Sequence, residues 1–246
     1  MGEAAVHGRG RLSPDVQEVL ASYAARATWP AGFVIYQRDA SADGVFLVTR
    51  GRVVLRSRVR AGRGFVPWIA TPGESFGAEG LSHEARYATD ARADEESETL
   101  HLSASRFRAF VREQPTCSLA LIAQIMCERS VLLDKLRELT TLSVEQRLLT
   151  ALLRMAGKHT FLREDGYIVL GTSRYRLLCE LVGATRESVS LVLGRLIADG
   201  LVQRNGNTLI VAPPQQLAER LAGIWAGSQD IPLAGLSEAS EQAALQ

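Results

Sequence analysis

Residues 172–197 read Thr172-Ser173-Arg174-Tyr175-Arg176-Leu177-Leu178-Cys179-Glu180-Leu181-Val182-Gly183-Ala184-Thr185-Arg186-Glu187-Ser188-Val189-Ser190-Leu191-Val192-Leu193-Gly194-Arg195-Leu196-Ile197. The pattern is two short helices joined by a tight turn. Leu177, Leu178 and Leu181 recur at helical spacing and form the buried face of the first. Gly183 ends it, where a left-handed backbone costs a glycine little. Thr185 then caps a second helix, whose buried stripe is Val189, Val192, Leu193 and Leu196. That helix opens with Arg186, Glu187, Ser188 and Ser190 on its polar side. Short or charged hydrogen-bonding side chains at a helix N-terminus suit the reading of base edges in a major groove. An ordinary helical hairpin with a solvated polar face shares this local pattern.

The residues that follow separate the two readings. Asp199-Gly200 turns the chain, and Leu201-Val202-Gln203-Arg204 and Thr208-Leu209-Ile210-Val211 then flank Asn205-Gly206-Asn207. Asn-Gly between two apolar runs is a strong hairpin signal. Helix, turn, helix and β-hairpin together make a winged helix-turn-helix, with Arg204 on the wing.

Upstream, Ser13-Pro14-Asp15 starts a helix with Val16, Val19, Leu20 and Tyr23 on one face, and residues 1–12, which lack periodicity, are expected to be loose. From Trp29 to Leu102 short apolar runs alternate with Gly, Asp and Pro, for example 33–36, 45–49, 53–59, 65–70 and 98–102. Such spacing implies a sandwich or barrel. Residues 103–111 return to helix, and Pro115 starts a long helical stretch to about Leu142. Ile122, Ile125, Arg129, Leu132, Leu136 and Leu139 recur at alternating steps of three and four, a coiled-coil seam that argues for a second chain, against the alternative of a helix packed only on its own barrel. Arg129 within that seam must be paired, reach outward or bind an anion. Ser143-Val144-Glu145 reads as a fresh helix cap and a hinge, followed by an amphipathic helix over 144–157. After Pro213-Pro214 a short helix closes the domain, and the Ala/Ser/Gln/Gly-rich residues 227–246 are expected to form a flexible tail.

The bulk numbers bound the function. A chain of 246 residues has room for two domains, and its formal net charge is only +1. Residues 143–225 nevertheless carry ten Lys/Arg against seven Asp/Glu, a local basic bias. Cys117, Cys127 and Cys179 are widely spaced and odd in number, which suits buried thiols in a reducing compartment and excludes a four-Cys iron–sulfur site within one chain. No charged-then-apolar leader and no run long enough to span a bilayer is expected, which points to a cytoplasmic protein away from membranes. A metal-dependent β-barrel enzyme would want a His-x-His pair and a carboxylate, whereas the only His residues are 7, 83, 101 and 159. No nucleophile elbow, phosphate loop or paired-carboxylate cluster occurs either.

The order of these parts resembles the Crp/Fnr superfamily of bacterial transcription regulators over residues 13–222. Residues 32–53 look like the first hairpins of its cyclic-nucleotide-binding β-roll, and Val182-Gly183-Ala184-Thr185-Arg186-Glu187-Ser188-Val189-Ser190 like the start of its recognition helix. The fold class expected is α+β. It comprises an N-terminal antiparallel, jelly-roll-like β-roll over 13–112, a long dimerisation helix over 113–142, a winged helix-turn-helix over 143–225 and a tail over 226–246. The resemblance implies a homodimer on a pseudo-palindromic promoter site in double-stranded DNA, with RNA polymerase as a further partner. Arg186 and Glu187 match positions that read a G·C pair, Arg donating to guanine and Glu accepting from cytosine. Ser188 and Ser190 would touch phosphate or base edges. Leu191 stands where a second guanine-reading Arg is common, so the half-site should differ. Thr172, Ser173, Arg174, Arg176 and Arg204 are candidates for phosphate contacts.

The ligand site departs further from the family pattern. The nucleotide cassette of the family runs Phe-Gly-Glu and, about nine residues on, Arg-Ser or Arg-Thr. This chain has Phe76-Gly77-Ala78-Glu79 and Glu84-Ala85-Arg86-Tyr87, so the Glu is one place late and Tyr87 stands at the expected Arg. The polar pair that meets adenine aligns with Leu132-Leu133. Cyclic AMP is therefore not expected as the effector. Gly77, Glu79, Arg86 and Arg129 remain candidate contacts for another nucleotide or anion, and haem on His83 or His101 is a further alternative.

Overall fold

The computed structural model describes residues 6–7, 10–58, 64–157, 161, 166–171 and 175–226. The chain divides into two compact units, Met1–Leu136 and Arg137–Gln246.

In the first unit β1 (Val6–His7) pairs antiparallel with β2 (Arg11–Leu12), which corrects for these residues the expectation of a loose segment; residues 1–5 and 8–9 lie outside the described residues. The reason is Leu12, which is 2% exposed and whose N–H donates to the Gly73 carbonyl at 2.8 Å. Then α1 (Pro14–Ala21) carries Pro at its first turn and buries Val16 and Leu20. The strands that follow are β3 (Ala25–Trp29), β4 (Val34–Tyr36), β5 (Gly44–Arg50), β6 (Val53–Arg58), β7 (Gly64–Ala70), β8 (Ser75–Phe76), β9 (Asp90–Ala93) and β10 (Ser97–Ser103). They form two antiparallel four-stranded sheets, β3-β10-β5-β8 and β4-β9-β6-β7. Every connection crosses between or folds back within these sheets, the arrangement of a roll. Apolar side chains fill its inside. One core joins α1 to the first sheet through Leu12, Val16, Leu20, Leu47, Leu100 and Leu102, and a second, aromatic core lies within the roll.

Ser103 caps α2 (Ala104–Glu113), its hydroxyl accepting from the Arg106 N–H, and α3 (Pro115–Thr141) follows. At 27 residues α3 is long and apolar enough to cross a membrane by length and composition, so no such run being present was too strong an expectation. One face of it is tied to the roll. Gln124 Oε1 accepts from the Ser75 N–H at 3.1 Å and from the Ser75 hydroxyl, and Lys135 Nζ donates to the Val66 carbonyl at 2.8 Å. Ile125 packs into the first core and Val131 onto the second.

The exposed face of α3 carries Leu119, Ile122, Met126, Leu133 and Leu136. With Arg129, also exposed, these residues step by three and four along the helix. The seam expected from the sequence shares Ile122, Arg129 and Leu136 with this stripe. Its other members lie elsewhere: Ile125 and Leu132 are half-buried, and half-buried Leu139 approaches Gly183. The physical reason is that α3 has two apolar stripes, and the roll covers one.

The second unit begins in the last turn of α3. Ser143 then opens α4 (Val144–Ala156) with a complete capping box, its hydroxyl accepting from the Gln146 N–H while Gln146 Oε1 accepts from the Ser143 N–H. Leu148, Leu149 and Leu152 of α4 are fully buried. The rest comprises β11 (Ile168–Gly171), α5 (Tyr175–Val182), α6 (Arg186–Ala198), β12 (Val202–Asn205), β13 (Thr208–Val211) and α7 (Pro214–Ala226). The sheet order is β11-β13-β12, so the 202–211 hairpin pairs against β11 as a wing. Asn205 pairs with Thr208, and Gly206 takes φ +55° in the two-residue turn. Arg220 holds Glu145 at 2.9 Å and Asp199 at 3.2 Å, clamping α7 to the start of α4 and the end of α6. Cys117, Cys127 and Cys179 are free thiols and half-buried rather than fully buried, with Cys117 packed against the first core. The expected tail, 227–246, lies outside the described residues.

Candidate nucleic-acid interface

The turn between α5 and α6 is built from its sequence. Gly183 sits at φ +63°, and a Cβ there would meet Leu139 Cδ2 at 2.8 Å. Conformation and space both require glycine. The Ala184 N–H returns to the Cys179 carbonyl at 3.1 Å, and Thr185 Oγ1 accepts from the Ser188 N–H at 3.3 Å. That cap fixes the start of α6. Val189, Val192, Leu193 and Leu196 are buried, as the stripe requires, and Leu177 and Leu178 of α5 join them, whereas Leu181 is half-buried and Val182 takes the deeper place.

With that face buried, the opposite face of α6 is presented outward. Arg186, Glu187, Ser190, Leu191, Gly194 and Arg195 are exposed, and Ser188 is half-buried beside Thr185. Glu187, Ser190, Leu191, Gly194, Arg195 and Ala198 line one shallow groove along the helix. Small residues every fourth position flank a 61% exposed Leu191. Arg195 lies 3.8 Å from Glu145, whose carboxylate Arg220 shares.

The other candidates divide. Arg204 is exposed on β12. Arg176 Nε donates to Glu180 Oε1 at 2.8 Å, one turn along α5, so part of its guanidinium is already engaged by a buried carboxylate. Thr172, Ser173 and Arg174 lie outside the described residues. Two features of the site had no motif to announce them. The Arg186 guanidinium lies over the Tyr175 ring, 5.4 Å from its centroid, and the Tyr175 hydroxyl donates to the Arg186 carbonyl at 3.0 Å. Arg195 is the other.

The roll holds the second candidate site. Gly77 adopts φ +73° and leads into a 3-10 turn, Ala78–Leu81. Inside, Tyr87 stacks flat on Tyr36 with centroids 3.6 Å apart and planes at 9°. Tyr36 also meets Phe46 and Phe76, and a Cβ on Gly77 would touch its ring at 3.2 Å. Both tyrosines are under a tenth exposed. Burial first, and the Glu79 charge second, raise the Tyr36 hydroxyl well above the usual range. Burial first, and then Asp43, push Tyr87 up to about 12.

The polar members of the cassette face other protein groups. Glu79 Oε1 accepts from the Ala88 N–H at 3.2 Å, and exposed Arg86 donates to the Asp39 carbonyl at 2.6 Å. Backbone pairing of 39–42 with 85–87 pins this segment down. The residue that closes the cluster from α3 is Val131, while Leu133 points to solvent at 54% exposure. Arg129 is exposed. His83 is almost fully exposed, and His101 packs on Phe46 and faces Asp43 at 3.3 Å.

A model of the cyclic nucleotide-binding domain matches residues 26–114, and one of the Crp-like helix-turn-helix domain matches residues 146–220. The cyclic AMP receptor protein of Thermus thermophilus is 29% identical over 229 residues, 91% of this chain and 99% of that protein. The cAMP-activated global transcriptional regulator CRP of Escherichia coli is 22% identical over 207 residues, 84% of this chain and 98% of that one. Among solved structures, the c-di-GMP-responsive global regulator CLP of Xanthomonas campestris superposes with a TM-score of 0.70 at 22% identity, covering 81% of this chain and 99% of that one. A CRP/FNR-family transcriptional regulator of Thermus thermophilus superposes at 0.69 with 23% identity, covering 81% and 98%. These relatives are regulators of transcription rather than enzymes.

Proposed function

Because the chain belongs to the Crp/Fnr family of transcription regulators, with a DNA-binding helix-turn-helix, we propose that it works as a homodimer that reads a pseudo-palindromic duplex without cyclic AMP. The observation that carries this reading is the outward face of α6, which offers Arg186 and Glu187 at a capped helix N-terminus. Arg186 donates to guanine O6 and N7, and Glu187 accepts from cytosine N4. Ser188 and Ser190 serve phosphate or base edges, Leu191 a thymine methyl, and Arg176 and Arg204 phosphates. Thr172, Ser173 and Arg174 keep the phosphate role proposed for them.

Homodimerisation is supported by the exposed stripe on α3, with Leu119, Ile122, Met126, Leu133 and Leu136 as its apolar members and Arg129 reaching outward. Five large apolar side chains on one helix face would otherwise remain in water. A second copy would present the same stripe and set two α6 helices one duplex turn apart.

Independence from cyclic AMP is supported by the interior of the roll. Tyr36 and Tyr87 occupy the space beside Gly77, and Glu79 and Arg86 bond to backbone groups of the protein. The chain would act in the cytoplasm with RNA polymerase as a further partner.

A gel-shift series tests the base-reading role. Arg186→Ala should weaken binding to the preferred duplex by about 1–3 kcal/mol and relax base choice at one position. An equal loss on preferred and random duplexes would refute it.

A further inference from the structure

We infer that Tyr175 is a positioning residue for Arg186 and, through it, sets base choice; this rests on the proposal that Arg186 reads a base. The two side chains belong to different helices of the pair, Tyr175 opening α5 and Arg186 opening α6. They meet twice. The ring lies under the guanidinium at 5.4 Å, and the hydroxyl donates to the Arg186 carbonyl at 3.0 Å.

These contacts do different work. The hydroxyl bond joins the first residues of the two helices, so it fixes where the Arg186 backbone stands relative to α5. The ring acts on the side chain. An exposed arginine at a helix start samples many rotamers, and docking on DNA must select one. A face-on aromatic ring favours that one beforehand, through attraction between the cation and the ring quadrupole. The attraction is not a conventional hydrogen bond to one N–H, so the donors of the guanidinium remain for guanine.

A purely structural tyrosine would stabilise the unit and affect all DNA alike. A positioning tyrosine acts only through Arg186. The test is a double-mutant cycle on full-length protein, with a duplex selected by the wild type and the same duplex with the arginine-read base pair replaced. Relative to Tyr175→Phe, which lacks only the hydroxyl bond to the Arg186 carbonyl, Tyr175→Leu is expected to weaken binding to the selected duplex about tenfold, leave the replaced duplex within twofold, and cost nothing further in an Arg186→Ala background. Tyr175→Phe keeps the ring and should retain most of the discrimination. Equal losses on both duplexes, full additivity with Arg186→Ala, or no loss in Tyr175→Leu would overturn the inference while leaving Arg186 as the reader. If Arg186→Ala itself leaves base choice unchanged, both ideas fall.

Discussion

Gly183 and the tyrosine pair show how single residues decide what the two units can do. A side chain at Gly183 would face φ +63° and a methyl of Leu139 at once. Gly183→Ala is therefore expected to cost the C-terminal unit at least about 1–2 kcal/mol, read as a lowered midpoint in denaturant titration. The glycine was evident in the sequence, because a helix end followed by a capping threonine leaves few other readings. The inside of the roll was not. Tyr87 was recognisable as a departure from an arginine, but nothing in its spacing announced that it would lie flat on Tyr36, fifty-one positions away. Stacking across sheets depends on register, which a single chain of letters does not fix. The pair also predicts an alkaline limit. Both hydroxyls are raised in the folded protein, Tyr87 to about 12. Between about pH 10 and 12 the unfolded tyrosines ionise while the folded ones keep their protons, so stability falls as pH rises through that window. Ultraviolet titration of tyrosine absorbance should show a late-ionising phase that includes this pair. Loss of two groups from the late phase in Tyr36→Phe/Tyr87→Phe checks the assignment.

Among the elements, α3 is the one the sequence described only halfway. Its heptad steps were visible, but two stripes of similar spacing share Ile122, Arg129 and Leu136. Which stripe faces outward is decided by Gln124 and Lys135, polar residues that bond to Ser75 and Val66 and so turn the helix against the roll. Polar anchors of that kind look like surface residues until their partners are known. The two stripes make opposite predictions. Met126→Glu and Leu133→Glu should leave the protomer folded and shift sedimentation from two chains to one. Ile125→Glu puts a charge into the first core and should lower the melting temperature instead. Short strands show the same limit. Ala25–Trp29 and Asp90–Ala93 have few branched residues, and neighbours rather than propensity hold them in their sheets.

At the scale of the whole molecule, a net charge of +1 conceals a local basic bias over residues 143–225, ten Lys/Arg against seven Asp/Glu, and that bias fits the DNA contacts proposed for this segment. The order of parts, from roll to long helix to winged helix-turn-helix, could be read from texture alone, since each part has its own periodicity. What regulates the assembly could not, because an effector site is defined by the shape of a cavity and the partners of a few polar groups. Here the aromatic stack beside Gly77, with Glu79 and Arg86 bonded to backbone groups, supports the proposal that DNA binding does not need cyclic AMP. Titration of nucleotide-free protein onto a selected duplex, with and without saturating cyclic AMP and with the binding stoichiometry measured, puts this to the sharpest test. Two chains per duplex and an affinity unchanged within twofold by the nucleotide are expected. One chain per duplex, or preferred binding that emerges only when cyclic AMP is added, would contradict it.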